Sequence, residues 1–278
     1  MLHKILISLL CIFALIGFLF VSVLFGMQFG LFNVRGSNAE RNRFFLDGRN
    51  FNGDLPCDVA TEAMCPWNKT PEWDVIQTAL QKDAAAIERV SAETGVSKRM
   101  IASVVMPEQI RFFTSEREIF KSYFEPLKIL VSLSQFSLGV SGIKQETADD
   151  IEKYANDPSS AFYPGFGMNG KIAYPPGTDK KTELYNRLTD PKDHYYSYLY
   201  TALFIREVEA QWNRAGFDVS QSPEAIVTLF NIGFEKSVPN PNPQPGGAPI
   251  TVGGTTYAYG ELGTQFYRSD ELTGIFPK

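Results

Sequence analysis

The residue in this chain best placed to do chemistry is Glu108. It follows Met100, Ile101, Val104 and Val105, which recur at helical spacing, and it stands directly after Pro107. That spacing predicts a helix with one apolar face turned inward and Glu108 at its end. A carboxyl group kept dry at a helix terminus has its charged form disfavoured, which raises its pKa. A raised carboxyl pKa is what a general acid needs near neutral pH. The plainer reading of the same residue is a surface charge that closes a helix.

Two further stretches bear on that choice. Ser137-x-Gly139-x-x-x-Ile143-x-x-x-Thr147-Ala148 is a serine-and-glycine turn leading into a short β-like segment and a new helix. Thr228-Leu229-Phe230-Asn231 is an apolar helix end that carries an amide. With Glu108 these pieces resemble, in type and order, the motifs of the lysozyme-like superfamily, that of the lytic transglycosylases and goose-type lysozymes. In that superfamily the catalytic glutamate ends an early buried helix, a glycine-containing turn follows, and an Ala-Tyr-Asn helix comes later. The chain departs from the pattern in three places. Gln109 stands where Ser is usual, Gly142 stands where the turn usually has Gln, and Phe230 replaces Tyr.

The resemblance implies a mainly α, lysozyme-like helical domain that cleaves peptidoglycan glycan strands with Glu108 as its acid. It implies a lytic transglycosylase, with a hydrolytic lysozyme on the same fold and a non-catalytic wall-binding scaffold as the alternatives. By the same resemblance, Ser137 and backbone groups near Gly139 and Ile143 would bind the sugar, and Asn231 would hold the helix or the substrate by its amide. The long helix expected after Asp190-Pro191 would back the cleft, and Tyr198 on it would reach towards the sugar. Phe230 and Tyr163 complete the expected substrate contacts. No cofactor and no metal is called for. A typical glycosidase uses two carboxyl groups, and the segment from Asn156 to Lys180 is the place where a partner for Glu108 could be found.

Composition sets the limits within which such a site must work. The net charge is −5, which argues against a nucleic-acid partner, because neutralising phosphates needs a basic surface. Aromatic residues make up 13% of the chain, an ample supply for stacking on sugars, although most rings in any domain fill the core. The sequence contains no phosphate-binding loop and no dinucleotide fingerprint.

After Lys4 an uncharged apolar run extends from Ile5 to about Gly26, and the next charge is Arg35. This is long enough for a bilayer-spanning helix, so residues 1–34 are expected to be an uncleaved signal anchor and single transmembrane helix, with a cleaved signal peptide as the alternative. Arg35, Arg41, Arg43 and Arg49 follow the run and by the positive-inside tendency would hold the domain in the cytoplasm. Cys57 and Cys65 point the other way, since a close pair in a loop suits an exported disulfide. No histidine accompanies them, so zinc is not expected. A site that cleaves the cell wall is also useful only outside. The expectation is therefore a membrane-anchored protein whose domain is extracytoplasmic.

Residues 35–70 read as a tether and disulfide loop, and 71–278 as the lysozyme-like domain. Pro71 starts a helix expected to run through about Glu93, Gly95 ends it, and the Glu108 helix follows. Further helices are expected at 115–123, from Pro126 to Leu133, from Thr147, from about Asp190 to Ala215, from Pro223 and from Tyr259. Asn156–Lys180, rich in Pro, Gly and aromatics, reads either as a substrate lid or as a packed surface loop. Gly253-Gly254 between β-branched flanks predicts a hairpin over 250–257.

Overall fold

The computed structural model describes residues 66–114 and 137–278, together with Lys4, 13–19 and 21–22 near the amino terminus. The chain divides into two compact units, Met1–Arg43 and Phe44–Lys278. In the first, the described residues are helical. Among the described residues no helix is long and apolar enough to cross a membrane. Most of the expected anchor, Cys57 and Cys65 with their loop, and the helices expected at 115–123 and 126–133 lie outside the described residues.

The second unit is mainly helical. Its helices are α1 (Pro71–Lys82), α2 (Ala84–Thr94), α3 (Lys98–Thr114), α4 (Gln145–Ala155), α5 (Met168–Ile172), α6 (Lys180–Leu188), α7 (Tyr195–Arg214), α8 (Pro223–Ile232) and α9 (Tyr259–Arg268). Among the described residues two antiparallel strand pairs join them: β1 (Ser137–Leu138) with β2 (Ile143–Lys144), and β3 (Pro249–Val252) with β4 (Thr255–Ala258). In the second pair Val252 faces Thr255, and Gly253 and Gly254 turn the chain at φ values of 57° and 78°. Positive φ at both turn positions is what a tight two-residue hairpin requires, and glycine supplies it without strain.

At the centre lies α3, packed against α1, α2, α7, α8, α9 and β3. Its residues from Arg99 to Ile110 are all buried. The expected one-sided apolar face is thus an underestimate, because a helix surrounded by neighbours on every side is buried all round. Nor does the helix stop at Glu108; it continues to Thr114 with Pro107 inside it. Proline removes the hydrogen bond to the carbonyl four residues back, here Ser103, and that carbonyl faces α9 at Gly263. A β-carbon on Gly263 would come within 2.5 Å of the Ser103 oxygen and 3.2 Å of the Pro107 ring. The proline is accommodated because α9 presents a bare backbone at the place where α3 has lost a bond.

Arg99, fully buried near the start of α3, ties down the carboxyl-terminal segment. Its guanidinium donates to the carbonyls of Tyr267 at 3.1 Å and Ser269 at 2.7 Å, and also to those of Phe266 and Glu271. Tyr267 lies in the last turn of α9, where carbonyls lack helical partners, and Ser269 and Glu271 lie just beyond it. Burial lowers the pKa of Arg99 to about 10, so the side chain remains a cation at neutral pH.

The helix expected from Pro71 to Glu93 is broken at Asp83 (φ −89°, ψ 3°) into α1 and α2. The Asp83 carboxylate turns inward, where it accepts from Tyr198 Oη at 2.8 Å and meets His194 Nδ1 at 2.7 Å. The packed domain also begins earlier than residue 71. Trp67 is fully buried, meets Trp73 edge-on at 4.9 Å and donates to Gln265 at 3.0 Å. In the stretch read as irregular, α5 forms a short helix, and just beyond it α6 starts on Asp179, whose side chain caps Thr182 N at 3.1 Å.

Candidate active site

Glu108 is 3% exposed. Its Oε1 accepts from Arg111 Nη2, one turn further along α3. Above the carboxyl lies the β1–β2 turn. A β-carbon on Gly142, whose φ is +65°, would overlap the Cγ, Cδ and Oε1 atoms of Glu108. The residue that departs from the expected Gln is therefore the one that lets the turn close on the carboxyl group. The buried Tyr259 of α9 donates to Val104 O at 2.9 Å, one turn before Glu108. Burial pushes the Tyr259 hydroxyl well above its ordinary pKa; the charge of Glu108 adds to the rise and that of Arg111 opposes it. Tyr259 therefore stays protonated and acts as a donor.

Gln109, next to Glu108, is 6% exposed and lies beside Tyr198. Tyr198 in turn donates to Asp83, and Asp83 meets His194, whose side chain is 19% exposed. A chain of polar contacts thus runs from the residue after the candidate acid to the surface. Burial first, and Asp83 second, hold the Tyr198 hydroxyl well above its usual pKa.

The expected site residues separate into distinct groups. The turn that begins at Ser137 comes together with Glu108 through Gly142. Gly139, at φ +65°, has no room for a side chain because Leu188 O and Ser197 Oγ lie against it. It locks the turn onto α6 and α7. Ile143 is 2% exposed and packs in the core. Tyr198 is also sealed in the core, its hydroxyl engaged by Asp83, so the expected sugar contact is not made from this residue. Asn231 accepts from Ala248 N at 2.8 Å and so fastens the Pro-rich connector to the end of α8; of the two expected tasks for its amide, this is the structural one. Phe230 stays half-buried, with its ring edge-on to Phe204 at 5.2 Å.

Tyr163 lies in the loop between α4 and α5. Arg214 donates to the carbonyls of Ser160 at 2.9 Å and Tyr163 at 3.4 Å, and Arg206 reaches Pro164 O at 3.5 Å. Arginines of α7 strap this loop down, which favours the packed-loop reading over a free lid. The loop also supplies no second carboxyl to Glu108. Asp157 accepts from Ser159 N at 2.9 Å, and Asp179 caps α6.

Arg111 and Tyr259 were not singled out by the sequence reading. Arg111 carried a signal, since residues three apart on a helix meet on one face; Tyr259 carried none, because its approach to Glu108 is purely tertiary. Among the described residues no group of His, Cys, Asp or Glu side chains could hold a metal ion. The chain matches no family model, no curated protein and no solved structure.

Proposed function

We propose that the protein is a peptidoglycan lytic transglycosylase with Glu108 as its single acid–base residue. The observation that carries this reading is the burial of Glu108 beneath the glycine turn, with no side chain at Gly142 between turn and carboxyl. In the reaction, protonated Glu108 gives its proton to the glycosidic oxygen between N-acetylmuramic acid and N-acetylglucosamine, and the C1–O4 bond breaks. The carboxylate then takes the proton of the muramic acid C6 hydroxyl as that oxygen bonds to C1. A 1,6-anhydro ring closes without water, and the carboxyl group ends in its starting state. One carboxyl serves twice, consistent with both acids of the 156–180 loop being engaged in local caps.

A non-catalytic wall-binding scaffold is the second reading, favoured by the ion pair that already occupies Glu108. The test is incubation of the purified full-length protein with peptidoglycan and mass analysis of the products. Anhydro-ended fragments support the transglycosylase, reducing ends would make it a lysozyme, and binding without product would leave the scaffold.

A further inference from the structure

Glu207 is fully buried on α7, yet among the described residues neither of its carboxyl oxygens has a hydrogen-bond partner. A buried polar group left unpaired is rare in a folded protein and calls for an explanation. Arg206, next to it in sequence, is taken by Glu209 at 3.1 Å. Among the described residues the charge that acts on Glu207 is that of Asp150 on α4, which has the same sign. Tyr154 lies one turn beyond Asp150 on the same face of α4. Burial, and then the charges of Asp150, Glu207 and Glu235, raise the pKa of its hydroxyl, so the three carboxyl groups lie around one phenol. Glu235 belongs to the 3-10 turn Phe234–Lys236. Its neighbour Phe234 meets Tyr154 edge-on at 5.2 Å and Phe162 at 5.2 Å, and Tyr154 stacks on Phe162 at 4.8 Å. Glu207 is sealed, Asp150 half-buried and Glu235 exposed, so the acidic groups lead from the surface inward.

We infer that Glu207, Asp150 and Glu235 form, with the Tyr154 ring, a binding site for a primary ammonium group. Such a group carries three donors on a compact head, one for each carboxyl, and is drawn to the face of an aromatic ring. Lys153 already places a cation over the Tyr154 ring at 5.2 Å, but its charge acts on Asp150 and not on Glu207. Among the described residues no three acidic groups converge closely enough to hold a metal ion, which points to a larger cation. Burial keeps Glu207 protonated. An arriving ammonium ion supplies both the missing hydrogen bond and a counter-charge, and the carboxyl proton passes to solvent. The amine comes either from the stem peptide of a peptidoglycan strand, which rests on the reading proposed above, or from a free aliphatic diamine, which does not.

The experiment measures, by calorimetry on the full-length protein, the binding of 1,5-diaminopentane and of its neutral analogue 1,5-pentanediol to the wild type and to Glu207→Gln. The wild type is expected to bind the diamine at least about tenfold more tightly than the diol, and Glu207→Gln to lose at least about tenfold in diamine affinity. The comparison of diamine with diol uses the wild type alone, so a variant that fails to fold does not shield the inference. A wild type that binds the diamine no better than the diol, or a folded Glu207→Gln that binds the diamine as well as the wild type, would overturn it. Retention of the wild type on peptidoglycan, before and after N-acetylation of the stem amines, then separates the two sources. Loss of retention on acetylation identifies the stem peptide, and equal retention identifies a free amine. Release of anhydro-muropeptides is read separately, so failure of the amine site leaves the transglycosylase standing.

Discussion

At the residue scale, Gly142 is the sharpest feature of the site. An alanine there adds a β-carbon where the Glu108 carboxyl already sits, and it must hold φ +65°. The backbone cost alone is about 1–2 kcal/mol, and the carboxyl group must also move. Gly142→Ala is therefore expected to lower the melting temperature and to reduce turnover by more than tenfold, measured by thermal denaturation and product release. Glu207 provides a second, independent expectation. It is fully buried on α7, and neither carboxyl oxygen has a hydrogen-bond partner among the described residues. Burial first, then the charge of Asp150, raise its pKa well above the ordinary value. Above the unfolded carboxyl value of about 4.3, the unfolded chain loses this proton while the folded chain keeps it. Stability then falls with rising pH, by up to about 1.4 kcal/mol per unit from this group, until the folded value is reached. Glu207→Leu should therefore raise the melting temperature more at pH 8 than at pH 4. An equal shift at both pH values would show that Glu207 is not held protonated.

At the element scale, α3 carries the site, and the contacts that hold it come from distant parts of the sequence. Arg99→Ala removes the donor shared by the carbonyls at the end of α9 and should cost more than about 3 kcal/mol, since several buried acceptors lose their partner together. Gly263→Ala pushes a methyl group into Ser103 O and Val227 Cγ1; overpacking of this kind costs about 1–3 kcal/mol. Denaturant unfolding of either variant measures these losses. Several elements could be read from local signals. The Gly253-Gly254 hairpin, the start of α1 at Pro71 and the glycine turn before α4 each depend on residues close in sequence. The break at Asp83 could not be read, because its cause is a pair of contacts with His194 and Tyr198 on a helix far along the chain. The continuation of α3 past Pro107 was hidden for the same reason: Gly263, which faces the carbonyl it frees, lies far along the chain.

At the scale of the whole molecule, the described residues of the unit from Phe44 to Lys278 are mainly helical and built around a helix that buries Arg99, Ser103, Glu108 and Gln109 along with its apolar residues. The candidate acid was legible in the sequence because its apolar approach and the glycine turn are both local patterns. Its partner Arg111, the burial of Tyr198 and the structural use of Asn231 were not, since residue type alone does not separate a ring or an amide that faces a groove from one that faces the core. What the tertiary structure adds is that Glu108 meets the turn with its carboxyl paired to Arg111.

The most direct measurement of the central claim compares the wild type and Glu108→Gln on peptidoglycan, with thermal melting of both. The amide can still accept from Arg111 through its oxygen but cannot deliver a proton. The expected result is loss of anhydro-muropeptide release by at least 100-fold, with a stability change of no more than about 2 kcal/mol. Unchanged product release by a folded Glu108→Gln protein would contradict Glu108 as the acid.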